Sequence, residues 1–472
     1  GLAFFLLLMA FVFQAIYAWS GPFMDAIEGL FGWLEGVLIG GLEEGPLKSL
    51  LSAAIVDGVG GVLVFLPQIL MLFLALSILE ETGYMARAAF LMDRLMRPIG
   101  LTGRSFIPLL SGFACAIPAI MATRTIADRA SRLTTIMIVP LTSCSARLPV
   151  YVLMIGLFVP ETEIGLGLSM QGLVLLAMYA LGAIVAIPVA LVFRKFIFKG
   201  TRSSFMIELP AYQAPQLKAL ARTVVERGRL FVVNAGTIIF AMAIVIWALS
   251  YFPRSREVQA KFEAQRSALA IPEEEAQESF DAIVEAAYTE TQRAKENFEP
   301  SVEDLPEASR QNFEDLKGLL DEHASINNAE SAELMENSIL GTIGQAVEPI
   351  FVPIGWDWRI STAAIASFPA REVVIGVMGT IFSQGEESDE ESEGLHDAIK
   401  SATWPDGRPL FTLATALSLM VFFALCMQCG ASVAAIKREM NSWKWATISF
   451  VYMTVLAYVF ALITFQVTNA FR

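Results

Sequence analysis

Four cysteines carry the most reactive side chains of this chain, and Cys115, Cys144, Cys426 and Cys429 all lie in or beside apolar segments. The two histidines do the reverse, since His323 and His396 sit in acidic, hydrophilic stretches. An apolar interior without imidazole can meet a metal cation only with sulfur, carboxylate, hydroxyl or backbone oxygen. Selection among divalent metals then comes from geometry and ligand type. Cys115 stands three residues before Pro118 in GFACAIPAIMATRTI, beside carbonyls that a proline break releases. Cys144 lies in SCSARLPVY, between Ser143 and Ser145 and ahead of Arg147 and Pro149. Such a polar cluster in an apolar run calls for a buried or wet interior face. Cysteine in general is a buried, inert packing residue, and each thiol taken alone is explained as well that way. Their joint placement, two of them at helix breaks, points to a role. The C-x-x-C of Cys426-Met427-Gln428-Cys429 also admits a redox or zinc reading, but no second pair exists to complete four ligands.

Carboxylates are the next donors. Glu372 follows Arg371 and Pro369 inside an otherwise apolar segment. An ionisable residue there marks a functional site by default, although Arg371 and Glu372 read equally well as groups that hold a loop together. Glu80 and Glu81 close an apolar run, where capping or snorkelling is the plainer reading and an inner-side ligand the sharper one. Met121 and Met154 offer thioethers, but methionine ordinarily fills apolar helices. With no histidine in the apolar segments and no H-E-x-x-H string, an intramembrane protease or hydrolase lacks its base and its metal.

The elements that must position these residues come in two similar copies. Pro98-Ile99-Gly100 leads into SFIPLLSGFACAIPAIMATRTI, with Pro118 at its centre; Pro353-Ile354-Gly355 leads into RISTAAIASFPAREVVIGVMGTI, with Pro369 at its centre. Identity is slight, but the pattern of PIG turn, small residues and central proline is shared. Proline inside a helix removes a hydrogen bond and clashes with the preceding turn. In a bilayer such a break persists only where protein or a water-lined cavity satisfies the freed backbone. Paired interruptions in corresponding parts of a membrane chain point to a substrate site; two ordinary kinked helices are the plainer alternative.

Composition places these copies in a membrane. The chain has 472 residues, 55% hydrophobic and 17% charged, with mean hydropathy +0.57. About 20 apolar residues span a bilayer, and Leu2–Trp19, Val59–Leu79, Leu133–Val159, Leu168–Phe193, Leu230–Phe252, Leu410–Ala435 and Ala446–Val467 qualify. The expected fold is an all-α polytopic membrane protein with about seven spanning helices plus two broken re-entrant segments. The first segment lacks a basic n-region and an A-x-A site, so it is not a cleaved signal peptide, and further sequence upstream is expected. The net charge of −14 comes from residues 253–348 and the run Glu386–Glu393; the remainder is mildly basic. Those acidic stretches read first as solvated surface. They hold no cysteine, so the thiols are expected to be free.

Lysine and arginine mark the cytoplasmic side. They flank the first broken segment at Arg87–Arg104 and Arg124–Arg132, and recur at Arg194–Arg229 and Lys437–Lys444. Acids flank the second broken segment. The first is therefore expected to dip in from the cytoplasm and the second from outside, as an inverted repeat, with the N-terminus inside and the C-terminus outside. Residues 21–57, interrupted by glycine and acids, are expected to lie along the outer interface. Three parts follow: a first membrane half over 1–253 with a gate repeat near 98–126, an extracytoplasmic acidic helical insertion over 254–340 broken near Pro300 and Pro306, and a second membrane half over 341–472 with a gate repeat near 353–382. Ile207–Tyr212 reads as a cytoplasmic linker before an amphipathic helix over Leu217–Arg229.

Six motifs occur in order: Leu79–Pro108, Gly112–Ile126, Ser143–Tyr151, Ile207–Tyr212 (IELPAY), Ser367–Phe382 and Cys429–Glu439 (CGASVAAIKRE). Together they resemble the membrane region of the ferrous iron transport protein B (FeoB) family, over nearly the whole chain apart from the insertion. The broken segments look like that family's paired gates, which recur in concentrative nucleoside transporters. The resemblance implies transport of Fe2+ into the cytoplasm across a bacterial inner membrane, with Fe2+ as substrate and no structural cofactor. It points to Cys115, Cys144 and Cys429 as metal-facing, leaving Cys426 as packing, with Ser143, Ser145, Glu372, Glu81 and Met121 as further candidates. It implies a GTP-binding domain or separate GTPase subunit on the cytoplasmic side, a small cytoplasmic accessory protein, and a homo-oligomer as an option, with no nucleic acid. Family members carry that GTP-binding domain before the first membrane helix, but no G-x-x-x-x-G-K-[ST] string is found here. No GTPase activity is therefore expected of these residues. The expected route passes Ser367–Glu372, meets Cys115 and Cys144, and leaves beside Arg124 and Glu81. A nucleoside-type solute carrier and a membrane receptor or scaffold built on the acidic insertion are the rival readings.

Overall fold

The computed structural model describes residues 2–38, 42, 45–162, 169–199, 212–269, 271–287, 307–371, 373–385, 392–427 and 429–471. Among them the chain is helical, with one isolated β-bridge between Thr403 and Pro409. Six helices among the described residues are long and apolar enough to cross a membrane: Pro46–Glu81, Arg129–Phe158, Met170–Ile197, Leu217–Tyr251, Leu413–Met440 and Trp443–Ala470. A further pair, Ile339–Ile354 and Trp358–Ala366, meets at 109°. The chain is thus a polytopic α-helical membrane protein.

Two expectations near the N-terminus need correction. Leu2–Trp19 is not followed by a separate interfacial helix, because one helix runs Leu2–Leu38 through Pro22. Its glycines cost only about 1 kcal/mol each in a helix, and the helix packs along the next span. The next span starts at Pro46 rather than Val59: proline suits a first helical turn, and Ala53–Gly60 carries the helix onward as wide π turns.

The two copies read from the sequence share a geometry. Arg97–Ile99 and Val352–Ile354 each form a tight 3-10 turn closed by a left-handed glycine, Gly100 at φ +82° and Gly355 at φ +85°. Glycine alone takes that conformation without steric cost. Each turn leads into two short helices that pack on one another. Phe106–Ser111 and Ala116–Ala122 form hairpin 1; Trp358–Ala366 and Val373–Ile381 form hairpin 2. In hairpin 1 the break is not centred on Pro118 but precedes it, over Gly112–Cys115. Pro118 lies in the first turn of the second arm, where a missing N–H costs nothing.

Each hairpin is followed by a helix interrupted in mid-course, where the sequence suggests continuous spans. Arg129–Ile138 and Leu148–Phe158 are separated by Val139–Arg147, with extended backbone at Thr142 and Cys144. Thr142 Oγ1 donates to the Val139 carbonyl at 2.7 Å, a side-chain bond that competes with helix continuation. Leu413–Leu425 and Gly430–Met440 are separated by an unwound stretch extended at Cys426 and Cys429. These broken helices run in opposite directions: Arg132 pairs with Glu439 at one end (2.8 Å), and Phe158 stacks on Phe411 at the other (6.3 Å between centroids). The second arm of hairpin 1 packs on Gly430–Met440, and that of hairpin 2 on Leu148–Phe158. That exchange of partners is the inverted repeat. The broken helices are also its core, with 67% and 82% of their apolar windows buried against 11% for Leu217–Tyr251.

The insertion is helical over Arg256–Ser267, Glu273–Ala287 and Glu307–Glu336, around Val258, Phe262 and Leu334 and a Phe280–Phe313 stack at 4.8 Å. The break expected near Pro300 and Pro306 lies outside the described residues, as do Ile207–Ala211 of the linker motif and Glu386–Glu391 of the acidic run.

Candidate functional site

All four backbone breaks meet at one cavity of about 650 Å3. Hairpin 1 contributes Cys115, the first broken helix Cys144 and Ser145, hairpin 2 Arg371, and the second broken helix Cys429 and Ser432. Cys115, Cys144 and Cys429 each stand on extended backbone immediately before a helical turn. The breaks are tied to each other. Ser145 Oγ donates to the Ala114 carbonyl at 3.3 Å, and the Gly430 N–H to the Phe368 carbonyl at 3.0 Å.

Two buried arginines supply the remaining ties. Arg147 donates to the Pro140 carbonyl and Ser143 Oγ, each at 3.1 Å, and to the Leu141 and Cys426 carbonyls at 3.5 Å. Arg371 donates to the same Cys426 carbonyl at 3.1 Å. Carbonyls freed by unwinding thus find charged donors inside the protein, which is what an interrupted helix at membrane depth requires. Both guanidiniums meet on the Cys426 carbonyl, and Arg371 also lines the thiol cavity.

A second cavity, of about 890 Å3, lies across hairpin 1. Glu80, Arg104, Met121, Arg124, Glu226 and Arg227 line it. Ala116 and Ile117 face the thiol cavity, whereas Pro118, Met121 and Ala122 face the second one. The short helix Ala116–Ala122, together with the stretch Leu66–Glu81, therefore forms the partition. Arg124 at its end is held to Glu439 at 2.6 Å, closing that end of the partition onto the second broken helix.

The structure sorts the residues that the sequence singles out. Cys115, Cys144, Cys429 and Ser145 come together in the thiol cavity. Ser143 does not: it is fully buried and accepts from Arg147. Cys426 is buried with its Sγ 3.8 Å from the Phe423 carbonyl, so it packs. Met121 belongs to the second cavity, and Met154 to the core. The Glu81 carboxylate accepts from the Gln216 backbone at 3.0 Å, and it is Glu80 that lines the second cavity. Glu372 lies outside the described residues. Among the described residues no three Cys, His, Asp or Glu side chains converge as a metal cluster. Sequence reasoning missed the interruptions at Val139–Arg147 and at Cys426–Cys429, the Arg147 ties, and the cavity-lining Glu28, Glu35 and Gln68. The seven-residue spacing of the two glutamates and the lone glutamine in LVFLPQILMLFLAL are the signals that could have found those three.

Oppositely directed hairpins and broken helices around a sulfur-lined cavity define a gate-type polytopic membrane protein. The family model described as "Gate: Nucleoside recognition" matches residues 62–158 and 232–443, and that described as "Ferrous iron transport protein B C terminus" matches 175–227. The chain belongs to the ferrous iron transport protein B (FeoB) family. It is 40% identical over 474 residues to the Fe(2+) transporter FeoB of Leptospira interrogans, covering 100% of this chain and 58% of the relative. It is 35% identical to that of Methanocaldococcus jannaschii, covering 97% of this chain and 55% of the relative. It is 36% identical to a Fe(2+) transport protein A/Fe(2+) transporter FeoB fusion protein of Porphyromonas gingivalis, covering 99% of this chain and 50% of the relative. The chain thus spans little more than half the length of these curated relatives. No solved structure matches.

Proposed function

We propose that this chain forms the path by which Fe2+ crosses a bacterial inner membrane into the cytoplasm. The observation that carries the reading is the meeting of Cys115, Cys144 and Cys429 on unwound backbone in one cavity. Thiolate suits a borderline cation such as Fe(II) better than the hard oxygen ligands preferred by Mg2+ and Ca2+. A conducting site must bind strongly enough to admit the ion and weakly enough to release it. Dispersed sulfur with nearby carbonyls meets that need better than a closed cage. The ion meets sulfur in the first cavity, passes the Ala116–Ala122 partition, and leaves through the second cavity beside Glu80 and Glu226. The membrane potential contributes about 2.3 kcal/mol per charge per 100 mV, and about twice that for a divalent ion. A GTP-binding unit on the cytoplasmic side would act on the partition rather than pump. The Porphyromonas fusion protein supports a small accessory partner on the same side.

A nucleoside-type carrier is favoured by one observation: the thiol cavity also holds Gln68, Glu28, Glu35, Phe31, Phe65 and Phe231, groups that can bind a ribose and a base. Uptake into proteoliposomes separates the two. With an interior-negative potential and anaerobic Fe2+ outside, iron influx is expected to rise with the potential while radiolabelled uridine stays at the level of empty vesicles. Uridine accumulation with no iron influx would reverse the assignment.

A further inference from the structure

Glu28 and Glu35 lie outside every motif discussed above, yet both line the thiol cavity. They are seven residues apart on the helix Leu2–Leu38, so they share one face. Phe31 stands between them, and a Cβ added at Gly60 would lie 3.3 Å from its ring, so this face is seated closely on the next span. Glu35 Oε1 accepts from Ser52 Oγ at 2.5 Å, and Trp247 Nε1 donates to Ser49 Oγ at 2.8 Å. Trp247 is near the end of Leu217–Tyr251 that lies opposite the arginine-rich start of that span. The glutamates therefore occupy the mouth of the cavity remote from the basic face. Gln68, on the span Pro46–Glu81, lines the same cavity. It is 8% exposed, and its amide makes no hydrogen bond to any described residue. A buried amide normally has a partner. One that faces a cavity without one is served by something mobile, either water or the water shell of a cation.

We infer that Glu28, Glu35 and Gln68 form an oxygen-lined capture site for hydrated divalent cations, in series with the thiols. Its place in a transport cycle rests on the function proposed above; its existence as a binding site does not. The two carboxylates are about 10 Å apart along the helix axis, so they hold an ion through its water or pass it inward rather than chelating it together. Carboxylate and amide oxygens discriminate poorly among hydrated divalent ions, whereas sulfur discriminates by softness. The mouth concentrates divalent cations by charge, and the thiols then select among them.

Mn2+ is the probe. It is titrated at low ionic strength into the full chain in zwitterionic nanodiscs, and free Mn2+ is read by electron paramagnetic resonance. In a Cys115→Ser/Cys144→Ser/Cys429→Ser background one Mn2+ site is expected to remain. Adding Glu28→Gln and Glu35→Gln should weaken it by about tenfold, the lower range of electrostatic focusing in a cleft. Gln68→Leu should weaken it severalfold. Glu263→Gln with Glu314→Gln, in the acidic insertion, should leave it unchanged. No site in the triple-serine chain, or equal loss from the insertion pair, overturns the inference. If the mouth variants leave Mn2+ binding intact while cysteine variants abolish Fe2+ flux, this inference fails and the proposed function stands. If Mn2+ binding behaves as expected but the wild-type chain carries no iron, the reverse holds.

Discussion

Replacing Cys144 or Cys429 with serine is expected to lower Fe2+ flux by about tenfold or more while leaving the amount of folded protein unchanged. Both residues lie on extended backbone at the cavity wall. Serine fits the same space and keeps a hydrogen-bonding group, so the unwound geometry is preserved and only the sulfur is lost. A loss of about 1.4 kcal/mol in holding the ion corresponds to about tenfold. Cys115→Ser should behave alike, since its thiol shares the cavity. Cys426→Ser is the internal control: that thiol is buried beside Phe423 and away from the cavity, so flux should stay near wild type. Uptake of radiolabelled Fe2+ into proteoliposomes, normalised to folded protein, reads all four. Equal flux in wild type, Cys144→Ser and Cys429→Ser would remove sulfur from the path.

Arg371→Met is expected to cut flux by about tenfold to a hundredfold, the range seen when groups behind a metal ligand are removed. Stability should fall far less. The Cys426 carbonyl would lose its 3.1 Å donor, while the longer 3.5 Å contact from Arg147 stays. An acceptor left poorly satisfied costs about 1–3 kcal/mol. Removing a buried charge returns part of that cost, because a desolvated guanidinium is itself unfavourable. The site loses more, since Arg371 lines the thiol cavity and ties down the unwound backbone that leads to Cys429. Arg371→Lys, which keeps the charge but has a different donor geometry, should recover part of the flux. Thermal unfolding measured beside uptake distinguishes the outcomes. A large drop in melting temperature with proportionate loss of flux would make Arg371 a structural clasp alone.

Much of the membrane architecture was legible because its signals are local and strong. Apolar runs of bilayer length, the two PIG turns and the prolines at 118 and 369 reveal hairpins without any knowledge of packing. Opposite flanking charges suggested their opposite orientation. The second pair of interruptions was only partly legible: the polar cluster around Cys144, with Arg147 and Pro149, marks an interior face, but nothing in FFALCMQCGAS exceeds what a continuous span tolerates. The unwinding at Cys426–Cys429 depends on donors from far along the chain, Arg147, Arg371 and the Gly430–Phe368 bond, and so belongs to tertiary structure. The same holds for Glu80 and Glu81. They are equivalent in sequence, and only the fold turns one into a cavity and the other onto Gln216. Glu28 and Glu35 were read with an interfacial segment because glycines and acids suggested an interruption. The helix continues regardless, and brings both to the cavity.

Iron K-edge X-ray absorption of the full chain in nanodiscs, loaded anaerobically with one equivalent of Fe2+, tests the role of sulfur most directly. The wild-type chain should show sulfur backscattering in the first shell of the iron, and the Cys115→Ser/Cys144→Ser/Cys429→Ser variant should show oxygen alone. An oxygen-only shell in the wild type, or a sulfur signal that survives in the triple variant, would contradict a cation path lined by these three thiols.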